Sequence, residues 1–472
     1  MGSINLINGG LDVLGIVDSL IEVERTPITR LQQNAESFQD RIAAYRTFNT
    51  KLLALKTCVG SLLFHGEDVP LNMPAGYDDR FSASLFALRK ATSSDEAVVV
   101  ATAGKGPTTG NFSVTVSRLA KSNAYASNNF ASSTAVQTQT GSLVIQNGAG
   151  DPVTIAIDSS NNTLEGIKCA INAAGAGCSA TILNDGSAQP YRLVITSDGS
   201  GTANALTITN NLTEGAGAAV SLAESVAAQD AALTINGVDI TSSSNTVTGA
   251  VEGVTFLLRS ESGSATVQID HDTDAIAAGI QDLITKYNDV VSYITSQSRY
   301  NSATRSAGIL SGDFTLRQAQ MELVTTITQS IESGYESVKV LAQAGITLSN
   351  SGLLSLDESE LREQLASNFD ATAHLLLSDA LDAAGNTVSL APLLHQRLAN
   401  LTDSIEGPIH RATDAIEKNI QRINEQVEQM ELRLEARREL LTAQYARADE
   451  ALRQLTVLQS SMSSLMNSLE SS

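Results

Sequence analysis

The chain has 472 residues, a formal net charge of -21, no Trp and 4% aromatic residues. That length supports several domains with substantial cores, and the acidity argues against a nucleic-acid phosphate backbone as partner. Three Cys are too few for a disulfide scaffold, and no apolar run approaches a membrane span.

The opening MGSINLINGG has neither a basic leader nor an apolar core, so a cleavable secretory signal is not expected. Leu11, Leu14, Val17, Leu20 and Ile21 then fall on one helical face, with Asp12 as its cap. Thr26-Pro27 predicts a restart, with Thr26 as N-cap and Pro27 in the first turn. A heptad seam follows at Leu31, Ala35, Phe38, Ile42, Tyr45, Leu52, Val59 and Leu63, with polar Asn49 and Lys56 at seam positions.

After Gly66 the period changes to two. Strands are expected over 79–101 (Phe81-Ser82-Ala83-Ser84-Leu85 and Ala97-Val98-Val99-Val100) and at Asn111–Val116. Short β runs continue at Leu143–Ile145, Val153–Ile157 and Tyr191–Thr196, interrupted by one helix from Thr163 to Ala173. A second β block, Ala232–Ile269, holds the hairpin signal Asn236-Gly237 between Leu233-Thr234-Ile235 and Val238-Asp239-Ile240. The strands of 79–104 join this block, so the stretch from 111 to 228 reads as an insertion.

Helical periodicity returns at Ile276, Ile280, Leu283, Tyr287, Val290 and Ile294, and again from Ser311 through Leu316, Ala319, Leu323, Ile327 and Ile331. Gly345-Ile346-Thr347 and Gly352-Leu353-Leu354 suggest a hairpin, and Asp357 with Glu360 a capping box. Short helices around Leu375–Leu377 and Leu393–Leu398 lead to the last segment. There Ile416, Ile420, Ile423, Val427, Met430 and Leu434 form a second seam. Arg437 interrupts it, Leu441 keeps the spacing, Gln444 misses it, and Ala448, Ala451, Leu455, Leu458, Met462, Leu465 and Leu469 resume it. With no Pro or Gly after Pro408, one helix about 90 Å long is expected. A dozen buried seam residues contribute on the order of 20 kcal/mol before ordering costs, so both terminal helices need partners, most economically each other and other copies.

Little chemistry is legible. His65, His271, His374, His395 and His410 have no metal spacing and read as surface or packing residues. Asp270, Asp272 and Asp274 imitate a calcium loop, but Ala275 and Gln281 stand where a Gly and a Glu belong, so they read as helix caps. Asp198-Gly199-Ser200-Gly201 reads as a turn. No nucleophile elbow, His-Glu-x-x-His or Cys-x-x-Cys is present. Cys58 fits a helical core position, while Cys169 and Cys178 flank a helix-to-strand turn and form a candidate disulfide. No catalytic, cofactor or metal site, and no enzyme, is expected.

Gly10-Leu11-Asp12-Val13, Ile16-Val17, Leu20, Glu24-Arg25 and Pro27 together resemble the N-terminal signature of the flagellar filament cap (hook-associated cap) family. Ile235-Asn236-Gly237-Val238, Ser244-Asn245-Thr246-Val247, Gly253-Val254-Thr255 and Tyr287-Asn288 continue the likeness. Gly308-Ile309-Leu310-Ser311-Gly312-Asp313 with Leu316-Arg317, and Gly345 through Asp357, complete it in order. Departures are Tyr445 where a Phe is expected, a C-terminal stretch that lacks an aromatic-rich tail, and the Cys pair.

The resemblance implies an α+β multidomain chain with a long coiled-coil leg from both termini, a helical bundle domain and two nested, mainly antiparallel β head domains. The implied division is 1–45 and 406–472 for the coiled coil, 46–77 and 271–405 for the helical leg domain, 78–108 and 229–270 for the inner β domain, and 109–228 for the outer. It further implies a homo-oligomeric ring, a pentamer or anything from tetramer to hexamer, at the filament tip, reached through the flagellar export apparatus. Flagellin, a hook-filament junction protein, an export chaperone and host mucin are the implied partners, with no nucleic acid and no cofactor. A flagellin or junction subunit and a glycan-binding adhesin are the alternatives. Gly312-Asp313 and Gly345-Ile346 disfavour the former.

Overall fold

The computed structural model describes residues 6–7, 10–64, 83–135, 138–215, 217–301, 306–329, 337–377 and 389–470, with backbone alone for 6–7, 10–11, 301, 306 and 467–470. It divides into two compact units, 1–77 with 277–472, and 78–276. His65, Phe81, Ser82 and Ile331 lie outside the described residues.

The first unit opens with α1, a single helix from Val13 to Leu63. Asp12 caps it as expected, its carboxylate accepting from the Gly15 amide. The expected restart at Thr26-Pro27 does not occur: Pro27 sits inside the helix. Proline removes one amide donor and crowds the carbonyl four residues back. Here that carbonyl belongs to exposed Val23, so losing its helical donor does not bury an unpaired acceptor, while Val17 and Ile28, at either side, are buried and hold the helix on its neighbours.

In the second unit the strands are β1 Arg89–Ser93, β2 Val99–Ala103, β3 Gly110–Arg118, β4 Ser122–Ser127, β5 Thr140–Asn147 and β6 Val153–Ile157. Helix α2, Leu164–Ala174, follows. Then come β7 Cys178–Asn184, β8 Tyr191–Ser200, β9 Leu206–Glu214, β10 Leu222–Val226, β11 Ala231–Ile235, β12 Val238–Ser242, β13 Thr246–Val251, β14 Val254–Leu258 and β15 Gly263–His271. They form two layered pairs of antiparallel sheets. One pair, ordered β12-β11-β3-β15-β1 and β13-β14-β2, closes over Val99, Val114, Val116, Leu233, Phe256 and Val267. The other, ordered β10-β4-β8-β7 and β9-β5-β6, encloses Leu143, Ile145, Ile155, Leu193 and Ile195 together with Leu164, Ile167 and Ile171 of α2.

Three expectations need correction here. Residues 83–87 are buried but contain a 3-10 turn, Leu85–Ala87, so pairing begins only with the Leu88–Lys105 bridge and the strand from Arg89. Strand β3, read as the start of the insertion, lies in the middle of the five-stranded sheet, so the sheet crosses over after Arg118. Asp198 to Ser200 is no turn but the irregular tail of β8, with Gly201 beyond it at φ 88°.

The Asn-rich composition has a physical use. An Asn side chain places an N–H donor beside a carbonyl acceptor, so it pairs with a backbone amide and carbonyl as a strand would. Asn172 brackets Ala180 at 2.7 and 2.9 Å, and Asn245 brackets Ala120 at 2.7 and 3.0 Å. These side chains satisfy backbone groups where ladders stop.

Helix α3, Thr273–Ser298, leads back into the first unit. It is followed by α4 Phe314–Thr328, the hairpin β16 Ile346–Leu348 with β17 Leu354–Leu356, α5 Glu358–Ser367, α6 Phe369–Leu377, α7 Leu390–Leu401 and α8 Pro408–Glu470. Asp357 caps α5, but Glu360 accepts from Gln364 rather than reaching back, because the Asp357 amide already donates to Gly345. The core is Tyr45, Phe48, Leu52 and Leu55 of α1 against Leu390, Leu394 and Leu398 of α7, with Tyr287, Val290 and Ile294 from α3. Phe48 stacks on Tyr293, whose hydroxyl donates to the Ala44 carbonyl at 2.8 Å.

Candidate assembly interface

Helices α1 and α8 pack together. Arg438 meets Asp18 at 2.9 Å, Arg437 meets Glu24 at 3.7 Å, and Arg46 meets Glu417 at 3.8 Å. Residue numbers rise on one helix as they fall on the other, so the pair is antiparallel. All three pairs are substantially exposed, so each contributes under about 1 kcal/mol and mainly sets register. Arg437, which interrupts the seam, is thereby a cross-helix partner.

Burial along the seam is graded. Ile42, Tyr45 and Leu52 are buried, and Leu31 and Phe38 half-buried. On α8, Ile416 and Leu441 are buried, and Ile420, Ile423, Val427, Met430 and Leu434 half-buried. From Glu450 to Met466 every residue is exposed, and Leu455, Leu458, Met462 and Leu465 are each more than 60% exposed. The cause is length: α1 begins at Val13, five residues before the Asp18 that meets Arg438, so α8 outruns its partner.

A second junction joins α1 to α4. Gly312 takes φ 78°, accessible without strain only to glycine, and turns the chain so that Asp313 caps α4 through the Leu316 amide at 3.1 Å. The other carboxylate oxygen accepts the Tyr45 hydroxyl at 2.5 Å and faces Arg41 at 3.5 Å. Burial raises the Tyr45 phenol pKa, and its hydrogen bond to Asp313 adds to the rise, so it donates as a neutral group.

The other family-like residues are also structural. Asn236 (φ 48°) and Gly237 (φ 81°) form the left-handed turn between β11 and β12, and Asn236 Oδ1 accepts the Ser113 amide at 2.8 Å, tying the hairpin to β3. Asn288 brackets Leu354 of β17 at 2.8 Å both ways. A side chain at Gly308 would meet the Gln297 carbonyl at 2.1 Å, and Gly345 lies at φ 76°.

Among the described residues no group of His, Cys, Asp and Glu is placed to hold a metal, and no helix is long and apolar enough to cross a membrane. Asp272 caps α3 through the Ala275 amide, Asp274 pairs with Lys90, and Asp270 accepts from Gln268. The candidate disulfide is absent: Cys169 is exposed on α2, Cys178 is buried, and both are free. Burial pushes the Cys58 and Cys178 thiols up to about 12 and about 11. One thiol per native chain is therefore expected to react with an aromatic disulfide reagent at pH 8, and all three in denaturant. Two fast thiols in the native chain would contradict this burial.

His395 of α7 is buried, and burial, with a smaller push from Lys56 of α1, lowers its pKa to about 4. An unfolded His titrates near 6.5, so protonation favours the unfolded chain. Stability is full above about pH 6.5 and falls as pH drops toward 4, by up to about 3 kcal/mol at the lower end. His395→Gln is expected to flatten that part of the curve, and an unaltered slope in thermal melts would refute the assignment.

The chain is thus a mixed α and β protein in which two long terminal helices flank nested antiparallel sandwiches. Two family models match it: the flagellar hook-associated protein 2 N-terminus over residues 9–123, and its C-terminus over 228–457. The flagellar hook-associated protein 2 of Escherichia coli K12 is 32% identical, aligned over 79% of this chain and 80% of its own length. The B-type protein of Pseudomonas aeruginosa is 25% identical over 99% and 98%. The crystal structure of the E. coli flagellar cap protein FliD D1-D2-D3 domains superposes with a TM-score of 0.58 at 30% identity, covering 79% of this chain and 99% of that one. This chain belongs to the flagellar hook-associated protein 2 family, the flagellar cap proteins.

Proposed function

We propose that this protein forms a homo-oligomeric ring, tetramer to hexamer with a pentamer favoured, at the distal tip of the flagellar filament. The paired α1 and α8 act as the leg, α3 to α7 as the helical leg domain, and the β unit as the head. The inner head domain carries the five-stranded sheet, and the inserted outer domain carries the four-stranded one. Flagellin emerging from the filament folds and inserts beneath the head, and the ring prevents its loss. The chain reaches this extracellular position through the flagellar export apparatus with an export chaperone, docking after the hook-filament junction protein. Adhesion to host mucin falls to the outer domain, which lies in the interval between the two family models.

The observation carrying this reading is the mismatch of the two rods. A seam sustained past the start of α1 leaves apolar side chains exposed, and this reading assigns another chain to cover them. Polar positions inside the seams (Asn49, Lys56, Arg437 and Gln444) keep the packing weak enough to rearrange as each subunit is added. The test is a deletion strain complemented with this chain. The expected result is loss of filaments with monomeric flagellin in the medium, reversed on complementation. Normal filaments in the deletion strain would overturn the reading, and normal filaments with lost attachment would favour an adhesin.

A further inference from the structure

The first unit carries two unpaired surfaces of opposite character. One is a groove of about 360 Å3 on the outer face of α4 and α7. Phe314 and Met321 stand 73% and 66% exposed along it, buried Leu393 lines it, and Arg317 and Arg397 flank it. Arg317 donates to the Gly312 carbonyl, and among the described residues neither arginine forms an ion pair. The other surface is on α8, where Leu432 is 68% exposed among Glu428, Glu431 and Glu435. None of these three carboxylates has an ion-pair partner among the described residues, Arg25 nearby included.

A single chain cannot bring the two together. Arg46 of α1 meets Glu417, and Tyr45 meets Asp313 at the start of α4. From there α4 heads toward Leu393 of α7, whose His395 faces Lys56, further along α1. Because α1 and α8 are antiparallel, that direction leads away from Leu432. Leu432 itself lies fifteen residues beyond Glu417, or about 22 Å along the helix.

We propose that the groove packs against the exposed Leu432 face of α8 in a second copy of this chain, with Arg317 and Arg397 of one copy against Glu428, Glu431 and Glu435 of the next. Both patches have an apolar centre and a charged rim. Among the described residues, Glu322 is the one carboxylate lining the groove beside its two arginines, and three unpaired glutamates outnumber Arg25 and the Asp18-paired Arg438 around Leu432. The chain as a whole has far more acid than base, which makes two unpaired arginines beside an apolar groove a specific feature. Since each copy offers both surfaces, the contact is head-to-tail and propagates around a ring. This rests on the self-assembly proposed above and assigns its surfaces.

The experiment is sedimentation of the purified full-length chain across a concentration series. Arg317→Glu with Arg397→Glu is expected to weaken self-association roughly tenfold or more, and Glu428→Arg, Glu431→Arg and Glu435→Arg together likewise. Combining both sets restores the reversed pairs and is expected to recover assembly. All positions are on the surface, and unchanged thermal midpoints verify folding. Wild-type assembly in all variants, or no recovery on combination, overturns the assignment alone. Unchanged assembly with lost retention of added flagellin also overturns it and gives the groove to flagellin. A wild-type chain that stays monomeric at high concentration overturns the ring as well.

Discussion

Replacing Asp313 by Ala is expected to lower the unfolding free energy of the helical unit by about 3 kcal/mol. Two losses combine. Helix α4 loses the side-chain acceptor for the Leu316 amide, a capping loss of about 1 kcal/mol. Tyr45, 1% exposed, keeps its hydroxyl but loses the acceptor, and an unsatisfied buried donor costs about 1–3 kcal/mol. Arg41 adds little, since its side chain is 35% exposed and water replaces the carboxylate.

Asp313→Asn retains an amide oxygen for either donor, so most of the stability is expected to return. Tyr45→Phe removes donor and need together and is expected to cost about 1 kcal/mol. Because both act on one hydrogen bond, Asp313→Ala with Tyr45→Phe is expected to cost less than the sum. Urea midpoints at constant slope measure all four. An Ala variant within about 0.5 kcal/mol of the parent would show that the junction is held by apolar packing alone.

The elements were legible wherever one period dominated over many residues. The α8 seam, the Asn236-Gly237 hairpin and the α2 face are local patterns, and they form where local pattern places them. What stayed hidden was pairing across sequence distance. Nothing near Asp313 announces Tyr45, 268 positions away. Nothing near Asn245 announces that its amide stands in for a strand beside Ala120. Strand β3 alternates cleanly, but alternation gives a face and not a neighbour, so its place in the five-stranded sheet could not be read. Pro27 misleads for the opposite reason: a strong local signal is overridden by the packing of Val17 and Ile28 on either side. In sequence the family-like residues are a signature, and in space they are turns, caps and junctions. They specify the frame, and the assembly proposed above is assigned to the charged and apolar surfaces on it.

The far end of α8 supplies the sharpest test of self-assembly. In a lone chain the amides of residues 452–466 are expected to exchange at nearly unprotected rates, because a solvated helix of that length is marginal without packing. Those of 416–441 are held by α1 and are expected to be protected at any concentration. On assembly, burial of Leu455, Leu458, Met462 and Leu465 contributes on the order of 8 kcal/mol per chain before ordering costs. Protection of the distal segment is then expected to rise about 100-fold or more, while the proximal segment changes little. Ending the chain after Gln444 is expected to leave the thermal midpoint of the helical unit unchanged and to weaken self-association sharply. If the distal amides are already protected in a dilute monomer, the stripe is covered within one molecule and the rods are not mismatched. If they stay unprotected in the assembled ring, the seam beyond Asp449 plays no part in holding subunits together.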